Sequence, residues 1–140
     1  MITSFYLIGA LLALAGGALS FYFYGVYKGF LSGKQWWIPS VCQLDGQTCI
    51  VIMNTHFGKI AGIPNALSGT VFLLLYAAVL LGTDQNLVPA SIPLLMGMFT
   101  MFIGVYLVYG LVKLSARCVV CLIVHSLNLI IFTLLIISLL

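Results

Sequence analysis

Cys118-Val119-Val120-Cys121-Leu122-Ile123-Val124-His125-Ser126-Leu127-Asn128-Leu129-Ile130-Ile131-Phe132-Thr133-Leu134-Leu135-Ile136-Ile137-Ser138-Leu139-Leu140 runs for 23 residues without a charge. A helix rises about 1.5 Å per residue and the bilayer's hydrocarbon core is about 30 Å thick, so about 20 apolar residues cross it. The run reads as a membrane-spanning helix. Residues such as Leu129-Ile130-Ile131-Phe132 do not alternate apolar with polar, as a strand of a membrane barrel would. Working outward, three more charge-free stretches occur at 1–27, 60–83 and 85–112. Each is long enough to cross once and too short to cross twice.

The composition agrees. Of 140 residues, 64% are hydrophobic and 5% are charged, against about 45–50% and about 25% in soluble domains. Seven formal charges cannot cover a water-soluble surface. A soluble enzyme, a disordered chain and a nucleic-acid binder are excluded, the last because five cations cannot line a phosphate groove. The expected fold is an all-α integral membrane protein, a four-transmembrane-helix bundle forming a single domain over 1–140. Its spans are expected at about 2–27, 62–83, 87–112 and 118–140, with one long cysteine-bearing loop, 28–61, between the first two helices. The first span lacks the basic start of a cleaved signal peptide. Its Ala15-Gly16-Gly17-Ala18 patch instead suits close helix packing. Adjacent Trp36 and Trp37 suit the membrane–water interface, and Pro64 marks the start of the second helix.

Parity gives a constraint on the chemistry. The long loop and the 113–117 turn are separated by two spans, so they lie on one side of the membrane. The 83–86 turn lies on the other. All four cysteines, Cys42, Cys49, Cys118 and Cys121, therefore gather at one face. Cys118-Val-Val-Cys121 opens a helix, where the helix dipole and the adjacent Arg117 stabilise a thiolate. A second dithiol in a loop can pass electrons to it by thiolate attack. Two other readings stay open: a structural disulfide between Cys42 and Cys49, and a zinc site. Cys118, Cys121 and His125 share a helical face and fit three zinc ligands, with Cys42, Cys49 or His56 as the fourth. The same face continues to Asn128, at spacings of three, four and three. His125 and Asn128 are costly in lipid unless they face the bundle interior. There they brace the helices, or with Asn65 they offer hydrogen bonds to a quinone in an apolar pocket.

The residues also resemble a known family. The loop cysteine pair, Thr55-His56-Phe57-Gly58-Lys59-Ile60-Ala61-Gly62-Ile63-Pro64-Asn65-Ala66, Gly69 and the final C-x-x-C with His125 are similar to the vitamin K epoxide reductase family, particularly its prokaryotic disulfide-forming members. The DsbB type also has four spans and two dithiols, but there the C-x-x-C precedes the loop pair. The resemblance implies a bundle around a membrane quinone of the menaquinone or ubiquinone type. Under it, Cys118 and Cys121 match the active-site pair, Cys121 being nearest the quinone. Cys42 and Cys49 match the shuttle pair, with Cys49 exchanging with Cys118. Asn65 matches an asparagine that binds a quinone carbonyl, and His125 stands where animal enzymes have a tyrosine. Thr55 falls at a Ser/Thr motif position and is expected, with Asn65 and His125, among the quinone-binding residues. Phe57 and Gly58 depart from the more usual Tyr-Ala. With no thioredoxin-like domain fused in this sequence, a separate thioredoxin-fold redox protein is the expected electron donor.

Orientation follows from the cations. Lys28, Lys34, Lys59, Lys113 and Arg117 all lie on the side of the cysteines, and basic residues in short loops stay cytoplasmic. The expectation is an inverted arrangement with the redox cysteines facing the cytoplasm. Disulfide-rich intracellular proteins of hyperthermophiles provide a setting for it. The alternative is an exterior-facing enzyme whose cations serve the chemistry.

Overall fold

Inside a bilayer every backbone N–H and C=O must be paired within the protein, and a helix does so within its own segment. The computed structural model describes residues 2–31, 36–37, 59–60, 63–114 and 119–139. They form α1 (Ile2–Lys28), α2 (Asn65–Asp84), α3 (Ser91–Leu114) and α4 (Val119–Leu139). All four are long and apolar enough to cross a membrane. The protein is a multi-pass membrane protein with a four-helix bundle.

The helix ends explain where the observed spans depart from expectation. Gly29, at φ 90°, stops α1: its N–H reaches the Val26 carbonyl at 3.2 Å and that of Phe30 reaches Gly25 at 3.1 Å. Asn86, at φ 63°, stops α2 in the same way, with Asn86 N–H on Thr83 at 3.0 Å and Leu87 N–H on Gly82 at 2.8 Å. These pairs satisfy carbonyls that the helix end would leave open. Leu87 is thus held in a cap, and the next helix begins at Ser91 rather than 87. Buried Pro93 sits in the first turn of α3, where a missing N–H removes no helical bond. The second helix begins at Asn65 rather than 62, immediately after Pro64. The preceding residues β1 (Lys59–Ile60) and β2 (Ile63–Pro64) pair antiparallel, Lys59 opposite Pro64 and Ile60 opposite Ile63.

Two buried clusters fix an up-down-up-down arrangement. At one end Tyr22 and Phe23 of α1, Leu111 of α3 and Val120 of α4 pack together, with Ala66 of α2 against them. Towards the other end Tyr6, Ala10 and Ala13 of α1 meet Leu73, Tyr76, Ala77 and Leu80 of α2 and Ile131 and Leu135 of α4. Within the small-residue patch, Gly16 and Gly17 are buried while Ala15 and Ala18 face outward. A Cβ on Gly16 would stand 3.2 Å from the end of the Leu73 side chain, so α1 and α2 approach closely here and a larger residue would press on Leu73. α3 packs chiefly on α4 and turns Phe102, Val105 and Val112 outward, each 73% exposed, as suits a lipid-facing side.

The first end carries the interfacial groups. Trp36 is exposed, and Trp37 meets the Tyr22 ring edge-on at 6.0 Å. Lys28 Nζ lies 5.9 Å from the ring centres of both Tyr24 and Tyr27, and Lys113 Nζ lies 5.9 Å from that of Tyr109. Cations over aromatic faces at helix ends suit a membrane boundary.

Candidate functional site

Between the two clusters the bundle is hollow. A cavity of about 340 Å3 receives side chains from all four helices, among them Ser20, Asn65, Thr100, Cys121, His125 and Asn128. The rest of its wall is largely apolar, with Phe23, Phe72, Phe99 and Val124 contributing. Asn65 enters because it is the first residue of α2, and Cys121 because it is the third of α4. His125 and Asn128 follow Cys121 by four and seven residues, so one helical face brings all three to the same space.

Polar groups within the spans fall into two kinds. The hydroxyls of Thr70, Thr83, Thr100, Ser126, Thr133 and Ser138 donate to carbonyls three or four residues back on their own helices, at 2.7–3.0 Å. The acceptor atoms of an imidazole or amide have no such route, because the helix has already paired its own N–H groups. His125 Nδ1 and Asn128 Oδ1 are buried with no hydrogen-bond partner among the described residues. The His125 ring lies against α3 at Gly104, where an added Cβ would stand 3.3 Å from Nδ1 and 3.7 Å from Cγ. Gly104 is what leaves room for the imidazole.

The sequence expectations divide accordingly. Cys121, His125 and Asn65 come together at one cavity. Cys42, Cys49, Thr55 and Cys118 lie outside the described residues, as do His56 and Arg117. Among the described residues no three His, Cys, Asp or Glu side chains converge to hold a metal ion, although most of the cysteines of the zinc reading fall outside them. Ser20, Thr100 and the phenylalanines of the wall carry no motif, and only tertiary packing reveals them. Asn128 belonged to the sequence stripe, and its burial, 6% exposed, now joins it to the cavity.

A model of the vitamin K epoxide reductase family matches residues 7–136. The chain belongs to that family. It is a family of redox enzymes associated with quinones, and the match extends through all four helices and the cavity. Comparison with individual curated proteins found no significant match. An apolar cavity with a cysteine at its rim and hydrogen-bonding groups along one wall is the chemistry that family membership leads one to look for.

Proposed function

We propose that the protein is a quinone-linked thiol oxidoreductase that generates protein disulfides. The observation that carries this reading is the convergence of Cys121, Asn65 and His125, from two different helices, on one apolar cavity. The cavity fits a quinone ring: its wall is largely apolar, and Asn65 and His125 carry amide and ring N–H groups that can donate to the ring's oxygens.

In this reading a separate thioredoxin-fold protein brings a dithiol to the Cys42–Cys49 disulfide. Its thiolate attacks one sulfur, a mixed disulfide forms, and its second thiol releases the partner as a disulfide. The reduced Cys42–Cys49 pair repeats the exchange on Cys118–Cys121, moving the same two electrons inward. A bound quinone supplies an acceptor for two electrons and two protons. Asn65 and His125 orient that ring by hydrogen bonds, which fixes its distance from the Cys121 sulfur. The apolar wall keeps water from the sulfur and strengthens those bonds. Thr55 is proposed to join Asn65 and His125 in binding the quinone.

The test is quinone reduction by the purified chain in lipid discs. Replacing Cys42 or Cys49 should spare reduction driven by a small dithiol and impair reduction driven by a reduced thioredoxin-fold protein. Equal loss with both donors would refute the division between shuttle and active-site pairs. Zinc retained by the native chain and lost from the cysteine variants would instead favour a metal-binding role.

The same end is proposed to face the cytoplasm. Lys28 and Lys113 stand in the last turns of α1 and α3 at the cavity end, which is the side that basic residues select. A reporter active only outside the cell, fused after Leu140, should be active. An expressed but silent fusion would reverse the orientation.

A further inference from the structure

The cavity occupies the interior of the bundle and leaves the chain just beyond α1 without a role. That segment folds back on the helix it has left. Gly29, at φ 90°, reverses the chain, and the N–H groups of Gly29, Phe30 and Leu31 converge on the Gly25 carbonyl at 2.9, 3.1 and 3.2 Å. Leu31 then takes the space beside Gly25, where an added Cβ would collide with the end of its side chain. Phe30 lies against Phe21 and Tyr24, with ring centroids 6.0 and 6.2 Å apart.

Trp37 makes the next contact. Its ring meets that of Tyr22 edge-on at 6.0 Å, an arrangement that the ring quadrupoles favour. Tyr22 has no exposure and packs with Phe23, Leu111 and Val120, and Cys121 lies against the same cluster. Trp36 is 95% exposed against 37% for Trp37, so one indole meets the surroundings and the other the protein. Sequence distance gives this contact a consequence. Cys42 comes five residues after Trp37, so the chain can carry it no more than about 18 Å away. From Leu31, the contact before, eleven residues would allow about 40 Å.

We propose that Trp37 is a positioning residue: its contact with Tyr22 pins the first limb of the long loop to the end of the bundle where α4 begins, and so concentrates Cys42 at Cys118. The proposal rests on the relay reading above and adds the device that keeps the two dithiols within reach. A longer tether dilutes what it carries, effective concentration falling as about the −3/2 power of tether length. Loss of the Trp37 contact lengthens the near tether of Cys42 from five residues to eleven, the far one staying at Lys59 of β1. That lowers its effective concentration about two- to threefold. For Cys49 the near tether grows from twelve residues to eighteen against a far one of only ten. There the fall is less than about 1.5-fold. The contact thus acts on one loop cysteine far more than on the other.

The test reads a disulfide equilibrium and needs no quinone. In the full chain in lipid discs, Cys49→Ala with Cys121→Ala leaves Cys42 and Cys118 as the only thiols. Cys42→Ala with Cys121→Ala leaves Cys49 and Cys118. Two thiols and one oxidised glutathione give one disulfide and two reduced glutathiones, so the equilibrium constant is an effective concentration. Trp37→Ala should lower the Cys42–Cys118 value about two- to threefold and the Cys49–Cys118 value less than about 1.5-fold. Trp37→Phe, which keeps an aromatic ring, should hold both near their native values, and Trp36→Ala should change neither. Equal falls in the two pairs would overturn the proposal, because the indole would then act on the loop as a whole. An equal fall with Trp36→Ala would do so too, by pointing to the lipid surface, as would a Phe variant no better than Ala. Thermal unfolding identifies a variant that has lost its fold, and Trp37→Leu then reads the same two values. If neither loop cysteine pairs with Cys118 while Trp37 is present, the relay reading falls and this proposal with it. If both pair and Trp37→Ala moves neither, the relay stands and only the anchor is lost.

Discussion

Two buried polar residues near the middle of the bundle, Tyr76 on α2 and Asn128 on α4, meet opposite surroundings. Tyr76 is fully buried among Leu73, Ala77, Leu80 and Ile131, and its hydroxyl has no hydrogen-bond partner among the described residues. An added Cβ on Gly97 would stand 2.9 Å from that oxygen, so it faces close packing. Asn128, on α4, lines a cavity of about 340 Å3. The Tyr76 hydroxyl is enclosed by packed side chains, whereas the Asn128 residue stands in a wall with space beside it. The packed half of the molecule keeps the helices in register, and the hollow half is free to bind. An unsatisfied polar atom points to function only where there is room beside it.

Substitutions in the two halves should therefore separate activity from stability. The largest effect is expected from Cys121→Ala in the hollow half. Quinone-dependent thiol oxidation should fall to the uncatalysed background while the unfolding temperature stays near that of the native chain. Retained activity would remove Cys121 from the relay. In the packed half, Leu80→Ala deletes a side chain with no exposure and should destabilise the bundle by about 2–5 kcal/mol. Denaturation in mild detergent reads that loss, and the quinone Kd of the folded fraction should not move. A shifted Kd would show that the halves are coupled.

How far these halves were legible in the sequence depends on the kind of signal. Four spans were legible because uncharged runs such as 118–140 are long enough to cross, and length alone decides that. The start of α2 was marked by Pro64. The start of α3 was not, because Leu87 and Val88 are as apolar as a helix while the left-handed turn at Asn86 has no hydropathy signature. Cys121, His125 and Asn128 could be grouped from spacing on one helix. Adding Asn65 needed parity and a family resemblance, and Ser20 and Thr100 needed the depth register between helices, which no single segment encodes. Small residues were legible as packing sites only in part, since Gly16 and Gly17 are buried and Ala15 and Ala18 are not.

Two smaller effects sharpen the contrast. Gly104→Ala would place a methyl 3.3 Å from His125 Nδ1, so the imidazole has to give way. The apparent quinone KM should rise severalfold, and the effect should vanish in a His125→Ala background, where no ring remains to be displaced. An equal rise in both backgrounds would show that Gly104 acts through helix spacing instead. Tyr76→Phe should change least. Removing a hydroxyl without a partner should leave stability unchanged or raise it by up to about 1 kcal/mol, with ligand binding unaffected. A marked loss of stability would mean that the hydroxyl has a partner outside the described residues.

The depth of the cavity has a consequence for supply. α4 begins at Val119, and Asn128 lies nine residues further, about 13–14 Å along the axis. Half of a hydrocarbon core of about 30 Å is about 15 Å, so a cavity running from Cys121 to Asn128 belongs to a single leaflet. Under the proposed quinone reading, a membrane-dissolved ligand would arrive in that monolayer and be released into it. Any enzyme that recovers the product at the opposite surface then depends on its crossing the midplane. On that reading, transverse exchange between leaflets would enter the turnover of this protein as a transport step, one that loading the ligand into only one monolayer of a vesicle would expose.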